Sequence, residues 1–294
     1  MVYMSTTYTP LTILEIIKKT TIFFEQKSIE NPRLNTERLL SSLLKIDRVQ
    51  LYLQYDRIMT RDETELFREF VRRRAEKEPL QYIIGETEFM GLNFKVTPAV
   101  LIPRPETEIL IEKILLLRDS LSFVNPSIWD IGTGSGCIAI ALAHWWAECK
   151  IIASDVSESA LRVAKENASL NNVSDKIQFL NHDILNDPID SSMQTDIIVS
   201  NPPYVSLDEY DNLEDEIRLY EPKLAITDNS KGLTFYEKIF SLIENGHRCK
   251  LIFIELSGTH TDKVIMLARQ FNFTGIDVFK DLNNLSRILQ IKIR

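Results

Sequence analysis

Residues Asp196-Ile197-Ile198-Val199-Ser200-Asn201-Pro202-Pro203-Tyr204 constrain the fold more tightly than any other stretch of this 294-residue chain. The apolar, β-branched run reads as a strand buried on both faces of a parallel sheet. Two prolines then end it, because they lack an N–H and fix φ. The chain therefore leaves the sheet at the carboxyl edge of that strand, where open α/β sheets bind ligands. What it presents there is a carboxamide, free backbone carbonyls and an aromatic ring.

The surrounding sequence supplies the rest of such a sheet. From Ser127 onward strand and helix patterns alternate. Ile128-Trp129-Asp130-Ile131 is a strand and Ile138 to Trp146 a helix. Ile151 to Ser154 is the next strand, and Ser157 caps the helix of Leu161, Ala164 and Ala168. Further strands are expected at Ile177 to Leu180, Ile197 to Val199 and Lys250 to Ile254, with helices at Leu233 to Glu244 and around Lys263 to Arg269. The alternation predicts an α/β fold with a doubly wound, mostly parallel sheet. The last two strands, near Ile276 to Phe279 and Ile288 to Ile293, are joined by too few residues for a parallel crossover and are expected to pair antiparallel at one edge.

The N-terminal part has a different texture. Residues from about Thr9 to Glu78 read as helical: Pro10 in the first turn of one helix, Asn31-Pro32 opening a second, and the capping box Thr60-Arg61-Asp62-Glu63 opening a third with the stripe Leu66, Phe67, Phe70 and Val71. Arg72-Arg73-Arg74 reads as a solvated face near a helix C-terminus, where cations are favoured. Short β-type segments with glycine breaks follow, at Tyr82-Ile83-Ile84-Gly85 and Phe89 to Val96, before the helix begun by Pro103-Arg104-Pro105-Glu106. The expected domains are a helical one at 1–80, a β-hairpin linker at 81–102 and the sheet domain at 103–294.

The formal net charge of −8 lacks the basic footprint of a protein that lives on bare nucleic acid. Cys137, Cys149 and Cys249 form no C-x-x-C pair, and their odd number disfavours a disulfide framework. His144, His182, His247 and His260 show no metal-ligand spacing, so no metal is expected. No apolar run is long enough for a bilayer, and residues 1–9 lack a signal-peptide pattern. These features together predict a cytoplasmic protein with no membrane contact.

Asp130-Ile131-Gly132-Thr133-Gly134-Ser135-Gly136 follows the first strand of the sheet and opens a helix. Glycines there permit a tight turn and a close approach of backbone to ligand. A dinucleotide fingerprint would read G-x-G-x-x-G, but the third glycine here is one position early. No Lys-Ser/Thr follows, so the loop is not a P-loop. The next strand ends at Asp155, placed to accept both hydroxyl protons of a ribose. The one after ends in Asn181-His182-Asp183-Ile184, where Asp183 can accept from an adenine amino group and Ile184 can pack on its ring. A glycine turn, a ribose acid and a base-binding acid on three successive strand ends describe a nucleoside site.

These motifs carry a resemblance. Gly132-Thr133-Gly134-Ser135-Gly136 with its preceding Asp130 resembles motif I of class I S-adenosylmethionine-dependent methyltransferases. Asn201-Pro202-Pro203-Tyr204 resembles the motif of those that methylate planar nitrogens, adenine-N6 nucleic-acid enzymes among them. The flanks narrow the match: Arg72 to Gly85, Phe89-Met90-Gly91-Leu92-Asn93-Phe94, Leu101 to Glu108, Glu221-Pro222-Lys223-Leu224-Ala225 and Gly232 to Tyr236 resemble the release factor glutamine N5-methyltransferase family. Two places depart from it. Ser257 and His260 stand where that family usually has glycine and glutamine, and Asn284 stands where it usually has glycine.

The resemblance implies a seven-stranded methyltransferase sheet with a small helical, substrate-docking N-terminal domain joined by a β-hairpin. It implies methyl transfer from S-adenosylmethionine, leaving S-adenosylhomocysteine, to the glutamine amide of a Gly-Gly-Gln motif in peptide-chain release factors. Gly132, Thr133, Gly134, Ser135, Gly136, Asp155, Asp183, Ile184 and Asn201 are then the cofactor residues. Asn201, Pro202, Pro203 and Tyr204 hold the substrate, with Asn201, Pro202 and Tyr204 catalytic. Asn201 Oδ1 and the Pro202 carbonyl would accept the two amide hydrogens while Tyr204 stacks on the amide plane. The other readings are an adenine-N6 nucleic-acid methyltransferase and a silent cofactor-binding protein. The acidic balance and N-terminal flank weigh against direct nucleic-acid binding, the intact Asn-Pro-Pro-Tyr against silence. A monomer is expected.

Overall fold

The computed structural model describes residues 10–118, 125–189 and 193–293. The expectations placed on residues 1–9 lie outside them. The chain divides into two compact units between Gly85 and Glu86.

Among the described residues the smaller unit is built of helices, with one isolated bridge between Thr12 and Ile58, around Ile13, Ile16, Phe24, Leu39, Leu40, Leu51, Met59 and Phe67. Its first helix is Ile13–Gln26, capped by Thr12 in a capping box with Glu15, so Pro10 precedes the helix and is not in its first turn. Pro32–Leu44 begins at Pro32 as expected, and a short helix, Arg48–Leu53, was not foreseen. In Arg61–Ala75 the Thr60–Glu63 capping box is present. Its core face is Thr64 and Phe67, with Phe70 and Val71 packed on the core; Leu66 is 50% exposed, because it sits about 100° around the helix from Phe67.

The arginine triplet is committed within this unit. Arg72 pairs with Glu69 and Glu76, and Arg73 with Glu78. Arg74 is buried rather than solvated, donating to Asn35 Oδ1 and to the Glu78 carbonyl. The expected β-segment Tyr82-Ile83-Ile84 is instead a helical turn, Leu80–Ile84. Pro79 accepts its first backbone bonds, and Gly85, left-handed, ends it by donating to the Gln81 carbonyl. Burial of Leu80 and Ile83 in the helical core outweighs the β-propensity of the isoleucines.

The larger unit opens with the hairpin β1 (Glu86–Phe89) and β2 (Leu92–Lys95), turned by Met90 and Gly91, both at positive φ. This is the two-residue turn that matches strand twist. The hairpin buries Phe89, Leu92 and Phe94 in the core of the sheet unit. Asn167 ties it down, accepting from Lys95 N and donating to the Lys95 carbonyl. It is therefore an integral part of that unit.

The remaining strands are β3 (Ser127–Ile131), β4 (Lys150–Asp155), β5 (Ile177–Asn181), β6 (Ile197–Ser200), β7 (Leu251–Glu255), β8 (Gly275–Lys280) and β9 (Ser286–Lys292). They form one sheet in the order β5-β4-β3-β6-β7-β9-β8. The first five are parallel; β9 runs antiparallel between β7 and β8, as the short connection required. Every residue of β6 and β7 is buried. Ile197, Val199, Leu251 and Phe253 face one layer of helices, Pro105–Arg118, Cys137–Trp145 and Glu158–Leu170. Ile198, Ile252 and Ile254 face the other, Thr234–Glu244 and Thr261–Gln270. Strand order reverses between β3 and β6. The adjacent carboxyl ends there open a crevice.

Candidate active site

A cavity of about 360 Å³ lies at that reversal, in the size range of small-molecule pockets. Gly132, Thr133, Gly134 and Ser135 after β3, Asp155 at the end of β4, Asp183 and Ile184 after β5, and Asn201, Pro202 and Pro203 after β6 all line it. Residues from four strand ends, spread over some seventy positions, thus meet in one place.

The glycine turn is held by its neighbours. Gly132 and Thr133 N–H both donate to the Ser154 carbonyl, and Gly134 N–H to Asp155 Oδ2. These amides are occupied, so the turn does not offer a nest for phosphate. Gly136 does not line the cavity; at φ +82° its added Cβ would meet Ile140 and Ala164 at 2.9 and 3.1 Å. It is needed for helix packing. Beneath the turn Asp130 is fully buried and accepts from the Thr133 hydroxyl at 2.6 Å. Burial pushes its carboxyl up to about 7, with Thr133 and the Ala139 amide pulling the other way. Its Oδ1 makes no hydrogen bond among the described residues.

Asp155 accepts Gly134 N–H on one oxygen and Ser157 N–H on the other, each at 2.9 Å. Both bonds aim the carboxylate and leave lone pairs on each oxygen. Burial raises its pKa, opposed by those amides. Asp183 is held within its own loop by Asn186 Nδ2 and Leu185 N–H, and the Asn186 bond keeps its carboxyl below the usual range. The lining's arginine, Arg104, is paired with the buried Glu221, which also accepts from Ile102 N–H. With two carboxylates and a neutralised arginine, the cavity favours a cationic nucleoside over a phosphorylated one. Cys137 also lines it, but burial pushes its thiol up to about 12, which makes it inert.

At β6, the Asn201 side chain donates from Nδ2 to Thr107 Oγ1 at 3.1 Å, and Thr107 donates to Glu255 Oε2 at 2.7 Å. Tyr204 is not part of the cavity lining. Its ring packs against the core under the second helix layer, and its hydroxyl donates to Glu255 Oε1 at 3.4 Å. Burial, reinforced by Glu255, raises the tyrosine pKa. Glu255 itself is buried at the end of β7, and desolvation pushes its carboxyl up to about 7. Thr107 lies in the stretch Leu101 to Glu108 and Glu255 just ahead of Ser257, but nothing in the sequence marked either as bonded to Asn201; only their packing does.

Asn284 and Ser257 are accommodated locally, while His260 Nδ1 is buried with no hydrogen bond among the described residues. Asn284 has φ +62°, the left-handed region that asparagine tolerates best after glycine. The Ser257 hydroxyl accepts from His260 N–H at 3.2 Å, just ahead of Thr261–Gln270. Asn284→Gly is therefore expected to keep unfolding free energy within about 1 kcal/mol, whereas Asn284→Val should lose roughly 1–2 kcal/mol in thermal unfolding. Equal stability of the two variants would remove the backbone explanation.

The chain is similar to known proteins over most of its length. Residues 15–85 match the family model described as PrmC N-terminal domain, and residues 113–202 that of ribosomal protein L11 methyltransferase. Proteins named release factor glutamine methyltransferase are similar over most of their length. That of Chlorobaculum tepidum is 40% identical, covering 94% of this chain and 95% of its own. That of Geobacter sulfurreducens is 36% identical, covering 95% of each. Among solved structures, the hMettl16 catalytic domain with a MAT2A 3′UTR hairpin superposes with a TM-score of 0.55 at 17% identity, over 81% of this chain and 84% of that one. That likeness concerns the fold alone. By identity and coverage, the chain belongs to the release factor glutamine methyltransferase family.

Proposed function

We infer that this protein methylates the side-chain amide nitrogen of a glutamine in peptide-chain release factors, that of the Gly-Gly-Gln motif, using S-adenosylmethionine. The observation that carries the reading is the meeting of Asn201 and Pro202 with Asp155 and the glycine turn around one cavity. The donor set suits that cofactor: acidic, with its turn amides already bonded and no free lining arginine. When bound, S-adenosylmethionine supplies a methyl group on a positively charged sulfur.

Each residue then has a task. Asp155 accepts the ribose hydroxyls, and Asp183 and Ile184 take the edge and face of the base. Gly132, Thr133, Gly134 and Ser135 let the backbone approach closely. The glutamine nitrogen is a poor nucleophile, because its lone pair is delocalised into the carbonyl. Asn201 Oδ1 and the Pro202 carbonyl accept its two hydrogens, and acceptors off the amide plane favour a tetrahedral nitrogen with a free lone pair. Pro203 walls the pocket. Tyr204, tied to Glu255, anchors the turn in place of the stacking expected from sequence. No general base is needed, since the methylated nitrogen is acidic enough to lose its proton to water. Positioning of this kind supplies roughly 7–11 kcal/mol.

The helical unit is assigned to docking the release factor, supported by its match to the PrmC N-terminal domain. The same reading places the protein in the cytoplasm as a monomer; no helix among the described residues is long and apolar enough to cross a membrane. The test offers labelled S-adenosylmethionine to a release factor, to the factor with Gln→Asn in Gly-Gly-Gln, and to DNA and rRNA. Label is expected on the unaltered factor only; label on nucleic acid alone would sink the reading. Asp155→Ala should weaken cofactor binding about tenfold or more by calorimetry, the cost of losing a charge-assisted hydrogen-bonding site. Unchanged affinity would refute its ribose role.

A further inference from the structure

We propose that Thr107 and Glu255 are positioning residues that decide which end of the Asn201 carboxamide faces the substrate. The proposal rests on the reading of Asn201 as the acceptor of the substrate amide. Asparagine presents an acceptor at one end and two donors at the other. A substrate –NH₂ needs the acceptor. The opposite rotamer would place Nδ2 donors against substrate hydrogens. Nothing within residues 201–204 chooses between the two.

The choice is made by a three-member wire reaching in from two other elements. Glu255, on the last residue of β7, is an acceptor when ionised and has no hydrogen to give. Thr107, in the first turn of the helix Pro105–Arg118, owns one hydroxyl hydrogen. It lies 2.7 Å from Glu255 Oε2, so that hydrogen must point at the carboxylate. The Thr107 oxygen then has only lone pairs left for Asn201, 3.1 Å away. Asn201 must therefore turn Nδ2 inward, and its Oδ1 is left as the acceptor. The polarity is imposed from the carboxylate outward. The second Glu255 oxygen accepts from Tyr204, and Tyr236 donates to the Glu255 backbone carbonyl at 2.8 Å, so one carboxylate orients both ends of the Asn-Pro-Pro-Tyr turn.

The wire depends on Glu255 being ionised. A protonated carboxyl could donate to Thr107 and reverse every bond. The groups facing it are Glu106 and Thr107 of one helix, Cys137 of another, Tyr204, Tyr236 and Arg287. Burial dominates and holds its pKa near 7, with Arg287 and the two hydroxyls Thr107 and Tyr204 opposing the rise. Turnover should thus decline on the acid side of neutrality and recover as pH rises.

Thr107→Val keeps the shape and removes the hydroxyl; Thr107→Ser restores it. With release factor as substrate, Thr107→Val is expected to lower kcat about tenfold or more, with KM and cofactor affinity by calorimetry each within about twofold. Thr107→Ser should recover most of the loss. The acid-side decline should vanish from the residual rate of Thr107→Val. Independently of turnover, the Asn201 side-chain NH₂ resonances, identified by their absence in Asn201→Asp, should exchange with solvent about tenfold faster in Thr107→Val. Glu255→Gln, which can face Thr107 with either end, should split those resonances and lower kcat. Full kcat in Thr107→Val, equal impairment of Thr107→Ser, or unchanged exchange overturns the wire. Absence of label on the release factor with wild-type protein overturns the methylation reading instead, and the exchange measurement still judges the wire.

Discussion

Asn201→Ala should lower the rate of release-factor methylation by about a hundredfold, roughly 2.7 kcal/mol of transition-state stabilisation, comparable to removing one preorganised partner from an oxyanion hole. The reason is geometric. Asn201 follows β6 directly, and β6 is buried along its whole length and paired on both sides, by β3 and β7. The carboxamide is therefore delivered by a fully buried central strand. Its Nδ2 is already bonded to Thr107, so little reorganisation is needed when a substrate amide arrives. Alanine removes the acceptor and leaves Thr107 without that donor, while the glycine turn and Asp155 stay in place. Cofactor affinity by calorimetry should change by no more than about twofold, and single-turnover rates should carry the loss. Parallel losses in affinity and rate would show that Asn201 mainly holds the cofactor.

Gly232→Ala should be the most damaging small substitution outside the cavity lining. Gly232 has φ +75°, and an added Cβ would stand 2.3 Å from the Tyr204 carbonyl oxygen and 3.4 Å from Ser206 N. Neither partner can yield easily. The segment around Gly232 is fixed by Asp228, whose carboxylate accepts from Ser230, Gly232 and Thr234 N–H and from the Thr234 hydroxyl. Val205 N–H in turn donates to the Ile226 carbonyl. Overpacking and left-handed strain together should cost about 2–4 kcal/mol, or several degrees in Tm for a unit of this size. Displacement of Tyr204 should also lower kcat about tenfold, given the sensitivity of positioned reactions to small misplacements. Gly246→Ala is the matched control: Gly246 has φ +94° with open space at its Cβ position. It should show the backbone strain alone, about 1 kcal/mol, at wild-type kcat. Identical behaviour of the two variants would show that the contact with Tyr204 is unimportant.

Much of this site was legible in the sequence because its signals are local. The proline pair that ends β6, the glycines that turn the chain after β3, and the acids closing β4 and following β5 each act within a few residues. Their order along the chain then implied a common edge. The misreadings share a physical cause. Tyr82-Ile83-Ile84 has strand propensity but completes a helical core, and Leu66 belongs to the right helix but the wrong side of it. The short helices Leu207–Tyr210 and Asp215–Tyr220 lie between β6 and Thr234–Glu244, and show no periodicity long enough to read. Tyr204 was correctly placed in the motif, but its ring packs on the core and its hydroxyl donates to Glu255, outside the cavity lining.

The doubly wound sheet, the strand ends that carry the cavity and the carboxamide offered at the edge of β6 were all readable from local sequence. Those are consequences of backbone chemistry over short spans: which residues extend, which cannot continue a strand and which permit a turn. Which way that carboxamide points depends on residues far from it in the chain. Asn201 meets Thr107 across 94 residues, and Thr107 meets Glu255 across 148. The direction of a hydrogen-bond chain depends on the group at its far end, and packing alone brings that group into reach.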